Sequence, residues 1–183
     1  MSHPNQMKFV KDVSQMFPAS FNKKRVLEIG SYDINGTIRD LFTDCDYTGL
    51  DLCEGKGVDV VESGSTYYSK NKFDTIISCE ALEHDINWKD TIINSIRLLK
   101  PNGLYVFTCA TKNREEHGTQ RTNSAESLSS QIYPKYYKNI YVKEILEKIP
   151  FEYYFDPYVF KVLNDDLYFF GVRTSIAMYD GCL

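Results

Sequence analysis

Five short apolar runs, each closing on a glycine, an acid or a turn, limit what this chain can fold into. They are Arg25-Val-Leu-Glu-Ile-Gly30, Tyr47-Thr-Gly-Leu-Asp51, Val58 to Val61 with Glu62 behind it, Phe73-Asp-Thr-Ile-Ile-Ser78, and Leu104 to Cys109 after the turn Lys100-Pro-Asn-Gly103. Runs of this length, rich in Val and Ile and apolar on both faces, read as buried parallel strands. Helical or helix-length connectors separate them. Thr37 to Phe42 reads as a helix soon after the first strand, and a second helix runs through Trp88 to Leu99. Ahead of them, Met7, Val10, Val13, Met16 and Phe17 mark one helical face, which Pro18 closes. Strands alternating with such connectors imply βαβ units and a mostly parallel sheet.

The last third changes character. Val142 to Ile149 is helical by spacing, whereas Phe151 to Phe160 and Asp166 to Thr174 read as two aromatic strands joined by Asn164-Asp165-Asp166. A link that short favours an antiparallel hairpin. Thr111 to Lys138 is long, polar and aperiodic, the pattern of a lid or binding segment. The 183 residues suit one domain, 1–183, with an N-terminal helix inside 1–20 and the lid or substrate segment at 111–138.

Charge and composition remove several function classes. Lys and Arg number 21 against 25 Asp and Glu, so the net charge of −4 argues against a nucleic-acid partner. Cys45, Cys53, Cys79, Cys109 and Cys182 contain no C-x-x-C pair, and four of them sit beside apolar or strand-like residues. Small core thiols in a reducing compartment are expected, with no metal site. No apolar run reaches the ~18 residues of a membrane span, and Met1 to Lys8 lacks the apolar core of a signal peptide, so a soluble cytoplasmic protein is expected. The aromatic content is unusual, at 14 Tyr and 11 Phe, with seven of the tyrosines between Tyr133 and Tyr158.

The strand ends carry the chemistry. In open α/β sheets ligands bind at the carboxyl ends of the strands, and those ends here offer Gly30, Asp51, Glu62 and Ser78-Cys79-Glu80. Glycine after the first strand allows close backbone approach, and an acid about twenty residues on can accept both ribose hydroxyls. A dinucleotide site wants G-x-G-x-x-G, with the pyrophosphate on a helix N-terminus. The loop here is Gly30-Ser-Tyr-Asp-Ile-Asn-Gly36, with Tyr32 in place of the second glycine, Asp33 inside the loop and Glu28 just before it. Carboxylates crowded there would repel a pyrophosphate and suit a ligand with an ammonium or sulfonium charge.

With these residues the chain resembles the class I S-adenosylmethionine-dependent methyltransferases of the small, single-domain kind, over roughly residues 20 to 175. The carriers are Val26-Leu-Glu-Ile-Gly30, Gly49-Leu-Asp51, Val58-Asp-Val-Val-Glu62, Phe73-Asp-Thr-Ile-Ile-Ser-Cys-Glu80, Leu82-Glu-His84 and Leu98-Leu-Lys-Pro-Asn-Gly103. The resemblance implies a Rossmann-like three-layer α/β sandwich, its seven-stranded, mostly parallel sheet ending in an antiparallel hairpin. It implies S-adenosyl-L-methionine as cofactor. The loop of Gly30, Ser31, Tyr32 and Gly36 would then contact the methionine part, with Glu28 beneath it and Tyr32 projecting over it. Asp51 would bind the ribose and Leu52 pack on adenine. Glu62 would accept from the adenine amino group beside Ser63, and Cys79 and Glu80 would line the cleft.

Methyl transfer from a sulfonium is an in-line displacement. Alignment alone can supply roughly 7–11 kcal/mol, and a general base helps chiefly when the acceptor is a hydroxyl. Two histidines are candidates for that base: His84 after the fourth strand, and His117 in Glu115-Glu-His-Gly-Thr119. Each also has a structural reading, His84 as a packed cleft-wall residue and His117 as a solvated loop residue. Between Thr111 and Lys138, five cations (Lys112, Arg114, Arg121, Lys135, Lys138) face Glu115, Glu116 and Glu126, a balance that suits an anionic small-molecule acceptor. Tyr133, Tyr136, Tyr137 and Tyr141 are candidates for its wall, and Tyr153, Tyr154, Tyr158 and Tyr168 for the hairpin. A sugar-like metabolite fits as acceptor. The alternatives are a nicotinamide-dependent oxidoreductase, opposed by the missing glycine pattern, and a non-catalytic scaffold of the same fold, opposed by the acids at Asp51 and Glu62.

Overall fold

The computed structural model describes residues 3–175. Seven strands form one sheet: β1 (Arg25–Ile29), β2 (Asp46–Asp51), β3 (Val60–Val61), β4 (Phe73–Cys79), β5 (Leu99–Ala110), β6 (Phe155–Leu163) and β7 (Asp166–Arg173). Their spatial order is β3-β2-β1-β4-β5-β7-β6. The first five pair in parallel, and β7 runs antiparallel between β5 and β6. Strand order reverses between β1 and β4, which places a crevice at their carboxyl ends.

Both faces of the central strands are covered, so successive residues feed two separate cores. Val26, Ile77, Leu104 and Val106 face α1 (Pro4–Met16), which buries Val10 and Val13. Leu27, Ile76, Tyr105 and Phe107 face the opposite layer. That layer contains α2 (Trp88–Leu98), α3 (Val142–Leu146) and the one-turn α4 (Phe151–Tyr154). This two-sided burial is why the strands read as continuous apolar runs. Phe107 stacks on Phe169 at 4.8 Å and Phe151 meets Phe169 edge-on at 5.0 Å. Such pairs add roughly 0.5–1.5 kcal/mol beyond their buried area. Much of the phenylalanine excess is this cluster.

The hairpin expected at the end of the chain is present. Asn164 and Asp165 both take positive φ, 51° and 66°, the conformation a two-residue turn needs to match strand twist. Other expectations require correction. Thr37 to Phe42 forms only a 3-10 turn at Arg39–Leu41. The stretch is too short to offset helix nucleation, and Arg39 is held away by Asp59 at 2.9 Å and by the Tyr47 ring. The strand placed at Phe151 starts at Phe155, because Pro150 caps α4 and Phe151 turns into the aromatic core. Tyr153 and Tyr154 therefore belong to α4, not to the hairpin. Helix α3 stops at Leu146 rather than Ile149. β3 begins at Val60 rather than Val58. The Lys100–Gly103 turn survives as a bulge inside β5, with Asn102 at φ 62° and the register passing from Phe73↔Leu99 to Thr75↔Leu104.

Among the described cysteines, none is disulfide-bonded; Cys109 is buried, whereas Cys45, Cys53 and Cys79 are half-buried. Cys182 lies outside the described residues. No described helix is long and apolar enough to cross a membrane.

Candidate functional site

A cleft of about 970 Å³, its open mouth included, lies at the carboxyl ends of β1, β2 and β4. Glu28, Gly30, Ser31, Tyr32 and Gly36 line one side. Asp51, Leu52, Glu62 and Ser63 line a second, and Cys79, Glu80 and His84 a third. All eleven residues nominated for the cofactor thus border one cavity.

Each wall has a local cause. Gly30 takes φ 79°, and a Cβ there would stand 2.2 Å from the Ala81 Cβ, so only glycine lets the loop after β1 pass the loop after β4. Asp51 ends β2 with its carboxylate already tied to backbone: Tyr32 N–H donates to Oδ2 at 3.1 Å and Leu52 N–H to Oδ1 at 2.7 Å. Burial raises the Asp51 pKa, and the amides of Tyr32, Leu52 and Cys53 oppose the rise. Glu28 sits deeper. The Tyr47 hydroxyl donates to its Oε2 at 2.8 Å, yet burial pushes its pKa up to about 8. The Tyr47 phenol moves upward with it, from burial and the adjacent carboxyl. The Ser31 hydroxyl is buried in the wall without a hydrogen-bond partner among the described residues.

Two loop residues behave differently from the sequence reading. Asp33 points out of the cleft, bonded to Lys56 Nζ at 2.6 Å and accepting from Gly36 N–H at 2.8 Å; both contacts lower its pKa. The Tyr32 ring lies against Gly55, where a Cβ would come within 2.2 Å of it, so the tyrosine fills the gap beside the loop after β2 while still bordering the cleft.

The sequence reading missed two walls. Gln6 of α1 is fully buried and reaches the cleft. Its signal was legible: a polar residue in register with Val10 and Val13 on the apolar face. Glu126 to Ser129 come over from the long segment, held where the Cys53 thiol donates to the Leu128 carbonyl at 3.6 Å. That segment contains two 3-10 turns, Ser124–Glu126 and Leu128–Gln131.

His84 borders the cleft and His117 does not. His117 lines an adjoining cavity with His3, Arg114 and Glu116, but its ring meets His84 edge-on at 5.0 Å. Tyr137 closes a triangle at 5.5 Å from His84 and 5.0 Å from His117. Gly118, at φ 63°, makes this possible, since a Cβ there would reach 2.7 Å from His84. Burial, aided by His117, drives the His84 pKa down to about 3, and burial lowers that of His117. Both rings are neutral at physiological pH. Glu116, next to His117 in the chain, binds Arg121 at 2.8 Å and the Thr119 hydroxyl. Lys138 is paired with Glu144 at 2.8 Å, and Arg114 lies 3.4 Å from Asp166. Three of the five cations of this segment are therefore internally engaged, and Lys112 and Lys135 are exposed.

A family model described as a methyltransferase domain matches residues 1–154. Among curated proteins no sequence relative was found. Solved structures share the fold. The N-methyltransferase NodS from Bradyrhizobium japonicum WM9 is 14% identical at a TM-score of 0.56, over 91% of this chain and 97% of that one. The Burkholderia thailandensis 1,6-didemethyltoxoflavin-N1-methyltransferase, with its substrate and S-adenosylhomocysteine bound, is 13% identical at 0.62, over 92% and 78%. Haemonchus contortus phosphoethanolamine N-methyltransferase 2, in complex with S-adenosyl-L-methionine, is 14% identical at 0.64, over 93% and 52%.

Proposed function

Because the chain belongs to the methyltransferase domain family, we propose that it transfers the methyl group of S-adenosyl-L-methionine to a small-molecule acceptor. The observation that carries this reading is the set of carboxylates along one cleft: Glu28 at its base, Asp51 at the end of β2 and Glu62 beyond β3, with the Gly30 turn between the first two. The fit is supported by the orphaned Ser31 hydroxyl and by the bare backbone at Gly30, which leaves space a side chain would fill. The bound small molecules named for the Burkholderia and Haemonchus structures support the same cofactor class and a small acceptor.

When bound, S-adenosylmethionine supplies an electrophilic sulfonium methyl. Asp51 accepts the ribose hydroxyls. Leu52 covers the adenine, and Glu62 with Ser63 takes its polar edge. Glu28 places negative charge under the methionine end, where a cation reverses the cost of its burial. Gly30, Ser31, Tyr32 and Gly36 shape that end, and Cys79 and Glu80 bound it on the β4 side. Ser127 to Ser129 exclude water from above, so the segment 111–138 serves as cover and acceptor wall. The acceptor approaches from the His84–His117–Tyr137 edge, where burial keeps both imidazoles neutral and makes them weak proton acceptors. The reading does not require an anionic acceptor, given the ion pairs that engage Arg114, Arg121 and Lys138.

Thermal shift with S-adenosylmethionine, S-adenosylhomocysteine, NAD and NADP tests the reading. A ligand at a hundred times its Kd stabilises the native state by about 2.7 kcal/mol, or roughly 5–10 °C for a domain of this size. Stabilisation by the first two is expected. Stabilisation by NAD without any response to the sulfonium cofactor would refute it.

A further inference from the structure

All three histidines of the chain and three buried carboxylates gather beside the cleft, and they divide into two clusters of opposite character. In the first, His3 Nε2 lies 3.3 Å from Asp166 and 3.6 Å from Glu80. Hydrogen bonds to Asp166 and Glu80 lift the His3 pKa to about 9. The Arg114 guanidinium, 3.4 Å from Asp166, already supplies a cation to that group.

The second cluster lacks one. Glu83 is fully buried, its carboxyl met only by backbone amides, its own and that of Ala110, and neither ring nitrogen of the nearly buried His84 has a hydrogen-bond partner among the described residues. Polar atoms buried without partners carry the full penalty of their lost hydration. One ligand atom from each of Glu83, His84 and His117 lies within 4.8 Å of the others. His117 Nδ1 faces the Glu115 carbonyl at 3.1 Å. That contact makes Nδ1 the N–H donor and leaves the Nε2 lone pair free, the backing a metal-bound imidazole has. The buried Tyr137 hydroxyl, also unpaired, adds a fourth polar atom at the edge. Glu80 repels Glu83 within the same wall, a strain that a divalent charge would relieve. Two imidazoles and a carboxylate with positions left open form a donor set for divalent first-row transition cations.

We propose that Glu83, His84 and His117 bind one divalent first-row transition cation at the wall between the cofactor cleft and the adjoining cavity. His84 borders the first and His117 the second, so the cation's open positions face the edge by which an acceptor enters. There it holds an acceptor oxygen and lowers the pKa of that hydroxyl, whose proton passes to solvent water. This last role rests on the methyl-transfer reading, whereas the binding site does not.

The test is titration of chelator-treated, untagged protein with Co²⁺ and Zn²⁺, followed by visible absorption and calorimetry. The expected result is one saturable site per chain, with imidazole-bound Co²⁺ absorption. Glu83→Gln, His84→Asn and His117→Asn, checked for native circular dichroism, should each weaken binding by about tenfold or more, and His3→Gln should leave it unchanged. Absence of saturable binding, binding that survives all three ligand variants, or binding lost in His3→Gln and kept in Glu83→Gln would overturn the proposal. S-adenosylhomocysteine binding is measured on the same samples. A protein that takes the cation and not the nucleoside supports the metal site and refutes the methyl-transfer reading.

Discussion

Glu28 links cofactor affinity to pH in a direction opposite to its effect on stability. Its carboxyl is buried at the base of the cleft, and burial lifts its pKa from 4.5 to about 8 despite the Tyr47 hydrogen bond. The unliganded fold therefore holds a proton that the unfolded chain releases. The stability this contributes is fully present below pH 4.5 and is lost as pH rises through 8, up to about 5 kcal/mol in all. A cationic ligand selects the ionised carboxylate and must displace that proton. Affinity for S-adenosylmethionine should thus rise about tenfold per pH unit below 8 and level off above it, about 30-fold between pH 6.5 and pH 9. Glu28→Gln keeps the shape of the side chain and removes the titration, so it should flatten the pH profile of affinity. The ligand's own titration is common to both proteins and cancels in the comparison. Calorimetry in two buffers of different ionisation enthalpy adds a direct reading, with nearly one proton released on binding at pH 6.5 by wild type and fewer by the variant. Equal pH profiles for the two proteins would refute the reasoning.

Three further outcomes follow from the same geometry. Asp51→Ala should weaken S-adenosylhomocysteine binding by roughly 1–3 kcal/mol, through loss of charged hydrogen bonds, and calorimetry on a folded variant checks it. Gly30→Ala sets a Cβ 2.2 Å from that of Ala81 at a positive φ. It should cost at least about 1–3 kcal/mol from backbone strain alone, read as a lower urea midpoint together with weakened cofactor binding. Phe169→Ala removes a fully buried ring from the aromatic core, with an expected loss of about 3–5 kcal/mol in denaturant unfolding.

The strands were legible because burial on both faces writes the same apolar run into each of β1, β4 and β5, and the ligand edge was legible because the run stops where a polar or glycine residue must face a cleft. The connectors were not. Thr37 to Phe42 carries helical spacing, but Arg39 is drawn off by Asp59 and Tyr47, partners that are remote or out of phase along the chain. The same holds for Phe151, whose aromatic neighbours look like strand partners until Phe169 and Phe155 pull it inward as a helical turn. The residues that border the cleft could be nominated one by one, yet Glu83 could not. Its burial depends on how the loop after β4 meets Lys138, whose N–H bonds the Glu83 carbonyl at 2.9 Å, and no local pattern encodes that meeting. Tyr137 was visible only as one tyrosine of several, and its place beside both histidines comes from the folding back of the segment before α3.

The 3-10 turn that stands in for a helix between β1 and β2 gives the cleft walls of two different materials. One side is closed by the buried side chains of Ile29, Ile38, Leu50 and Leu82, whose packing does not depend on ionic screening. The wall beside Gly36 is held by Asp33 with Lys56 and by Arg39 with Asp59, ion pairs at the water boundary. Charges so placed fade over a Debye length of about 8 Å at physiological ionic strength and about 3 Å at 1 M. The entrance to this cleft is therefore tuned by the electrolyte around it: one side keeps its shape at any salt concentration, and the other slackens as counterions take the place of its partners.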